Sequence, residues 1–166
     1  MKVNANVVIC LRKYNISFDM DDKYYMKMAL QEAQQAFDAG EVPIGAVVVC
    51  KDRIIARAHN LTEMLTDVTA HAEMQAITAA SSVLGGKYLN ECTLYVTVEP
   101  CVMCAGAIGW SQLGKLVYGA TDEKRGYTQF APKALHPKTV VVSGLMADEC
   151  AKLMKDFFES KRARLN

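Results

Sequence analysis

The sequence predicts an α/β fold: three layers, with a mixed sheet of about five strands between helices. Three observations carry this expectation. Helical and strand patterns alternate along the chain in the order αββαβαβ(β)α. A Val-rich run, Ile44 to Cys50, and its return, Arg53 to Ala58, are joined only by Lys51-Asp52, which reads as an antiparallel hairpin. The runs 94–98 and 116–120 are separated by one helical stretch, which reads as a parallel pair.

Residues 1–18 mix Asn, Val and Lys without helical spacing, so they read as a short strand or an arm. We expect residues 1–20 to be an N-terminal extension and residues 21–166 to form a single domain. The first helix spans about 22 to 39. Met26, Leu30, Ala33 and Phe37 form its apolar stripe, and Asp21-Asp22 suit the positive end of its dipole. Gly40 stops it, and Val42-Pro43 turns the chain into the hairpin. Residues 59–69 form a polar loop. A helix follows from 70 to about 84, with Asp67 or Thr69 as its expected cap and Gly85-Gly86 as its end. Thr93 to Val98 is a strand rich in β-branched residues, and a helix to about Trp110 follows it. Lys115 to Ala120 is the next strand, residues 121–137 are irregular, and Thr139 to Ser143 is a last short strand. Asp148-Glu149 open a C-terminal helix that reaches about Arg162.

Two motifs carry the chemistry. Thr69-Ala70-His71-Ala72-Glu73 contains His-x-Glu, and Glu99-Pro100-Cys101-Val102-Met103-Cys104 contains Pro-Cys-x-x-Cys. One imidazole and two thiolates make three zinc ligands, which leaves one tetrahedral position for water, as catalytic sites do. Cys101 and Cys104 are spaced to share a helix face, and Pro100 fits just before or at the first helical position. A helix start also favours thiolate. Glu73 is placed to act on the water rather than to bind the ion. Read alone, Cys-x-x-Cys is equally a redox pair or half of a structural zinc site, but no second Cys-x-x-Cys completes such a site. The joint pattern is that of zinc-dependent base deaminases.

Composition narrows the class. With 166 residues and 51% hydrophobic side chains, the chain can bury a full core. No apolar run approaches the ~18 residues that span a bilayer. Val7 to Leu11, followed by Arg12-Lys13, is too short for a signal peptide, so a cytoplasmic protein without membrane contact is expected. Of six cysteines, two are ligand candidates. Cys10, Cys50, Cys92 and Cys150 follow no disulfide spacing, and Cys50 reads as a buried small apolar residue. The net charge of +1 hides an asymmetry: residues 1–114 hold nine basic and twelve acidic side chains, and residues 115–166 hold ten and six. A basic C-terminal third suits phosphate, although a solvated helix face would look the same.

With these motifs the chain resembles bacterial tRNA-specific adenosine deaminases, of the cytidine deaminase-like superfamily. The resemblance runs from about residue 22 to 164. It rests on Gly40-Glu41-Val42-Pro43-Ile44-Gly45-Ala46-Val47-Val48, on 69–73, on Leu94 to Ala107, on Tyr118 to Asp122, and on Asp156-Phe157-Phe158 followed by Arg162. It implies hydrolytic conversion of the wobble adenosine in an arginine tRNA anticodon stem-loop to inosine. It also implies one Zn2+ per subunit and a homodimer. Asn60, Val42, Ala72, Asp122 and Phe157 are the substrate-contacting positions it implies, with Phe158 beside them; core packing is the other reading of Phe157. The chain departs from the family's usual pattern at Glu123 to Phe130 and at Ser111-Gln112-Leu113. The same zinc chemistry would serve a deaminase of a free base or nucleotide, of the guanine or cytosine type. A zinc-stabilised RNA-binding module without activity is a third reading, against which Glu73 stands.

Overall fold

A computed structural model describes residues 20–163. The expected extension, 1–20, therefore lies almost wholly outside the described residues. Ten elements follow in order: α1 (Met20–Asp38), β1 (Gly45–Cys50), β2 (Arg53–His59), α2 (Ala72–Leu84), β3 (Cys92–Val98), α3 (Val102–Trp110), β4 (Lys115–Ala120), α4 (Tyr127–Phe130), β5 (Val140–Ser143) and α5 (Ala147–Ala163). The five strands form one sheet in the order β2-β1-β3-β4-β5. β1 pairs antiparallel with β2 and β3, while β3–β4 and β4–β5 are parallel. The mixed, five-stranded expectation holds.

Period-2 alternation sorts the strands between two core layers. Ala46, Val48, Leu94, Val96, Leu116 and Tyr118 point to the face covered by α2 and α3. Val47, Val49, Tyr95 and Val117 point to the other, against Tyr25, Met26 and Ala29 of α1 and Cys150 of α5. β1 and β3 are covered on both faces, which explains why all but one residue of each is buried. At the start of β1 only glycine fits, because a Cβ on Gly45 would lie 2.0 Å from the Ala29 carbonyl oxygen of α1.

Local signals behave as their chemistry requires. Gly40 ends α1 at φ +79°, and Gly85 ends α2 at φ +64°. Lys51 and Asp52 both take positive φ, the hairpin geometry that matches strand twist. Asp22 of α1 does more than face a dipole: it accepts from Tyr95 of β3 and pairs with Lys115 of β4 at 2.9 Å.

Two expectations are corrected. Asp67 and Thr69 do not cap α2. The Asp67 carboxylate instead accepts from the Thr69 N–H and hydroxyl, closing a local turn, and the residue in the N-cap position is His71. The 121–137 segment, expected to be irregular, contains the one-turn helix α4. Four residues are too short to show periodicity, and tertiary contacts hold this turn: Tyr127 N–H donates to the Pro100 carbonyl, and Thr128 donates twice to the Glu99 carboxylate.

Candidate metal and active site

His71 and Cys101 are the N-cap residues of α2 and α3, and both have extended backbone. That backbone turns each side chain out of its helix. Neither makes a side-chain cap bond, so neither side chain is taken up by the N–H groups of its own helix. Cys104, one turn into α3, is fully buried and completes the group. Its sulfur lies 3.5 Å from His71 Nδ1, and that of Cys101 lies 3.6 Å away. A tetrahedron with zinc–sulfur bonds of about 2.3 Å and zinc–nitrogen bonds of about 2.0–2.1 Å requires a sulfur–nitrogen distance of about 3.6 Å. The donor set and its spacing therefore fit one zinc, and among the described residues this is the one His/Cys/Asp/Glu cluster that could hold a metal.

The charges tell the same story. Without a cation, the two sulfurs share one negative charge. Cys101 is drawn down to about 4, chiefly by the Cys104 thiol. Cys104 is pushed far above the thiol range by Cys101 and by burial. His71 is raised, first by its bond to Cys101. A divalent ion removes this competition by stabilising both thiolates.

Glu73 sits in the first turn of α2, 3% exposed. Its Oε2 is the one buried side-chain oxygen or nitrogen without a partner among the described residues. Burial, the largest influence, pushes its carboxyl up to about 7. An uncompensated buried oxygen costs about 1–3 kcal/mol, so it marks a place where a ligand is expected.

His71, Cys101 and Glu73 line a cavity of ≈ 890 Å³ together with Val42, Ile44, Asn60 and Asp122, while Cys104 is fully buried. Lys124, Arg125, Lys155 and Arg162 also line it, as does Phe158. The structure thus brings His71, Cys101, Glu73, Asn60, Val42 and Asp122 to one cavity, with Cys104 grouped with His71 and Cys101. Two other expected contacts do not present side chains there. Ala72 is fully buried in the α2–α3 core layer. Phe157 is 4% exposed and packs edge-on against Phe37 of α1, 5.6 Å between ring centres. Core packing is what Phe157 does, and its 43% exposed neighbour Phe158 takes the place on the wall.

Sequence reasoning passed over two buried carboxylates. Glu41, 1% exposed, accepts from Asn60 Nδ2 at 3.0 Å, from the Thr62 hydroxyl and from the N–H groups of Glu63 and Met64. Asn60 Nδ2 also donates to Thr62, so both its hydrogens are engaged and the acceptor Oδ1 is what Asn60 has left for the cavity. Glu99 accepts from the Asp122 N–H and from Thr128, tying the 121–128 loop to the strand end that delivers Cys101. A Cβ on Gly126 would meet this carboxylate at 2.4 Å. The Asp122 carboxylate is itself occupied by the N–H groups of Lys124 and Arg125. A carboxylate inside an apolar run, as in Glu41-Val42-Pro43-Ile44, was the available signal.

Glu41→Gln places an amide donor among four donors. It is expected to cost about 1–3 kcal/mol and to lower the melting temperature by several degrees, with zinc content unchanged. Thermal denaturation and metal analysis check this; an unaltered melting temperature would contradict the clamp.

Comparison with known proteins now identifies the group. The MafB19-like deaminase family matches residues 20–162. A tRNA-specific adenosine deaminase of Bacillus subtilis (strain 168) is 45% identical over 148 residues, covering 86% of this chain and 92% of the relative. One from Agrobacterium fabrum is 44% identical over 144 residues, covering 84% and 95%. A solved structure from a study of A-to-I editing by tRNA:A34 deaminases at the wobble position aligns with a TM-score of 0.74 at 44% identity, covering 78% of this chain and 98% of the other. The chain therefore belongs to the MafB19-like deaminase family and to the tRNA-specific adenosine deaminases, zinc enzymes of the cytidine deaminase-like fold.

Proposed function

We propose that the chain hydrolyses the wobble adenosine of a tRNA anticodon loop to inosine, that its substrate is an arginine tRNA, and that it works as a homodimer in the cytoplasm. One observation carries the choice of RNA: four cations and Phe158 surround the cavity above the His71/Cys101/Cys104 site. Cations meet phosphates, and an exposed ring stacks on a splayed base. No helix among the described residues is long and apolar enough to cross a membrane. The dimer reading rests on large exposed apolar side chains: Trp110, 87% exposed at the end of α3, and Met64, Leu65 and Val68 on the loop before α2.

The residues divide the work. When bound, zinc supplies the Lewis acidity that makes a water nucleophilic near neutral pH. Glu73 Oε2 accepts the proton of that water and gives it to a ring nitrogen of the base. The water oxygen bonds to the carbon that carries the amine. Glu73 then takes the second proton, from the hydroxyl now on that carbon, and hands it to the amine, so the C–N bond breaks, the carbonyl forms and ammonia leaves. A carboxyl poised near 7 suits a group that both takes and gives a proton. Asn60 Oδ1 accepts from the base or ribose, Val42 packs on the nucleoside, and Asp122 holds the cationic loop.

The test offers the zinc-loaded protein an arginine anticodon stem-loop with a wobble adenosine, and separately free guanine, cytosine and adenosine, with products read by mass spectrometry. Inosine in the stem-loop alone is expected. Turnover of a free base with the stem-loop untouched would replace this reading with a small-molecule deaminase. Sedimentation at the mass of one chain would remove the dimer.

A further inference from the structure

We propose that Cys50 and Cys92 form a reversible oxidation site, in which a hydroperoxide converts the two thiols to a cross-strand disulfide. Cys50 is the last residue of β1 and Cys92 the first of β3, and they are direct partners in the antiparallel ladder. Partners in such a ladder have Cα atoms about 4.5 or 5.5 Å apart and project to the same face. Both separations fall in the roughly 4.4–6.8 Å range that a disulfide spans. The bond therefore needs side-chain rotation and no movement of the strands. Both residues belong to the α2–α3 core layer, Cys92 within it and Cys50 packed against it.

The two thiols differ as the chemistry requires. Cys50 is half-buried, whereas Cys92 is 2% exposed. Both line a cavity of ≈ 340 Å³ together with Lys51, Arg53 and Glu91, and Lys51 is paired with Glu91 at 3.7 Å. Arg53 is the lateral partner of Cys50 on its other side and makes no ion pair among the described residues. Partly exposed and electropositive surroundings are where cysteines react. Cys92 is held protonated, pushed up to about 12 by burial and then by the Cys50 thiol. Cys50, the more exposed of the two, is the attacking sulfur and Cys92 the resolving one.

The Cys50 sulfur attacks the hydroperoxide. An S–O bond forms as the O–O bond breaks, the leaving oxygen takes the thiol proton and departs as alcohol (or water), and Cys50 becomes a sulfenic acid. The Cys92 sulfur then attacks that sulfur. The S–S bond forms, the S–O bond breaks, and the departing hydroxyl takes the Cys92 proton as water. Two thiols lose two electrons, and the peroxide gains them. β3 runs seven residues from Cys92 to Val98 before the chain reaches Cys101, which places the pair roughly 20 Å of strand from the metal site. Oxidation here leaves the ligands untouched. Cys150 is buried, and Cys10 lies outside the described residues.

The zinc-loaded full chain is titrated with hydrogen peroxide, remaining thiols are alkylated, and peptides are mapped by mass spectrometry while a chromogenic chelator reports released zinc. The expected result is a Cys50–Cys92 linked peptide, lighter by two hydrogens and reversed by dithiothreitol, at peroxide levels that release no zinc. Cys92→Ala should stop at a Cys50 sulfenic acid that dimedone traps. A Cys101–Cys104 linkage with zinc loss first, a Cys50 bond to Cys10 or to another chain, or a Cys92 that stays alkylatable while Cys50 over-oxidises would each overturn the proposal. None of these readouts depends on the substrate.

Discussion

Glu73→Gln is expected to leave one zinc bound and the chain folded while kcat falls by about 10²–10⁴, the range that positioned acid–base catalysis contributes. The argument starts from burial. Glu73 is 3% exposed, and its Oε2 has no partner among the described residues. Burial is the largest influence pushing the carboxyl up to about 7, so the folded chain holds this group at a cost. The amide is isosteric and carries no charge. Replacing the carboxyl removes that cost, and the melting temperature is expected to stay level or rise. What disappears is the proton shuttle, because an amide cannot take a proton from water and return it to the leaving amine. His71, Cys101 and Cys104 are unchanged, so metal analysis should give the parent's zinc content. A variant that deaminates within tenfold of the parent would remove Glu73 from the reaction, and one that loses zinc would make it a support for the ligands.

The metal ligands were legible because few side chains bind zinc and their spacings place them at helix starts. His71 and Cys101 are N-caps, a position that fixes backbone direction. The strands were legible because β1 and β3 are apolar on both faces. What the chain hid was relative placement. Phe157 and Phe158 are adjacent on α5, and one residue on a helix is about 100° of rotation. The face that meets Phe37 is decided by how α5 lies on α1, which no local pattern records. Asp67 has the chemistry of a cap, but its carboxylate found Thr69 two residues away, a competition that short polar side chains commonly win. Glu41 stands beside an apolar run, and nothing local names its partners. It became visible as the organiser of the Asn60 loop only when the donors of residues 60–64 were seen around it. Cys50 and Cys92, forty-two positions apart, became a pair only through strand register.

Cys104→Ser is expected to produce the opposite signature to Glu73→Gln. Cys104 is fully buried, and without a cation its thiol is held far above the ordinary range by Cys101 and by burial. A second thiolate beside the first is tenable only with a divalent ion between them. Serine keeps the volume nearly constant, but its hydroxyl is a far poorer zinc ligand than a thiolate. Losing an outer partner of a ligand costs about 10–100-fold in affinity or activity, and losing a ligand should exceed that. Zinc affinity is therefore expected to fall by more than about a hundredfold, with activity falling alongside the zinc content. Equilibrium dialysis against a chelator of known affinity, followed by metal analysis, gives the constant directly. Partial return of activity at high added zinc would mark the defect as occupancy, a rescue that Glu73→Gln cannot show. A Cys104→Ser protein that keeps the parent's zinc affinity would remove Cys104 from the ligand set and leave the 3.5 Å approach of its sulfur to His71 Nδ1 as packing alone.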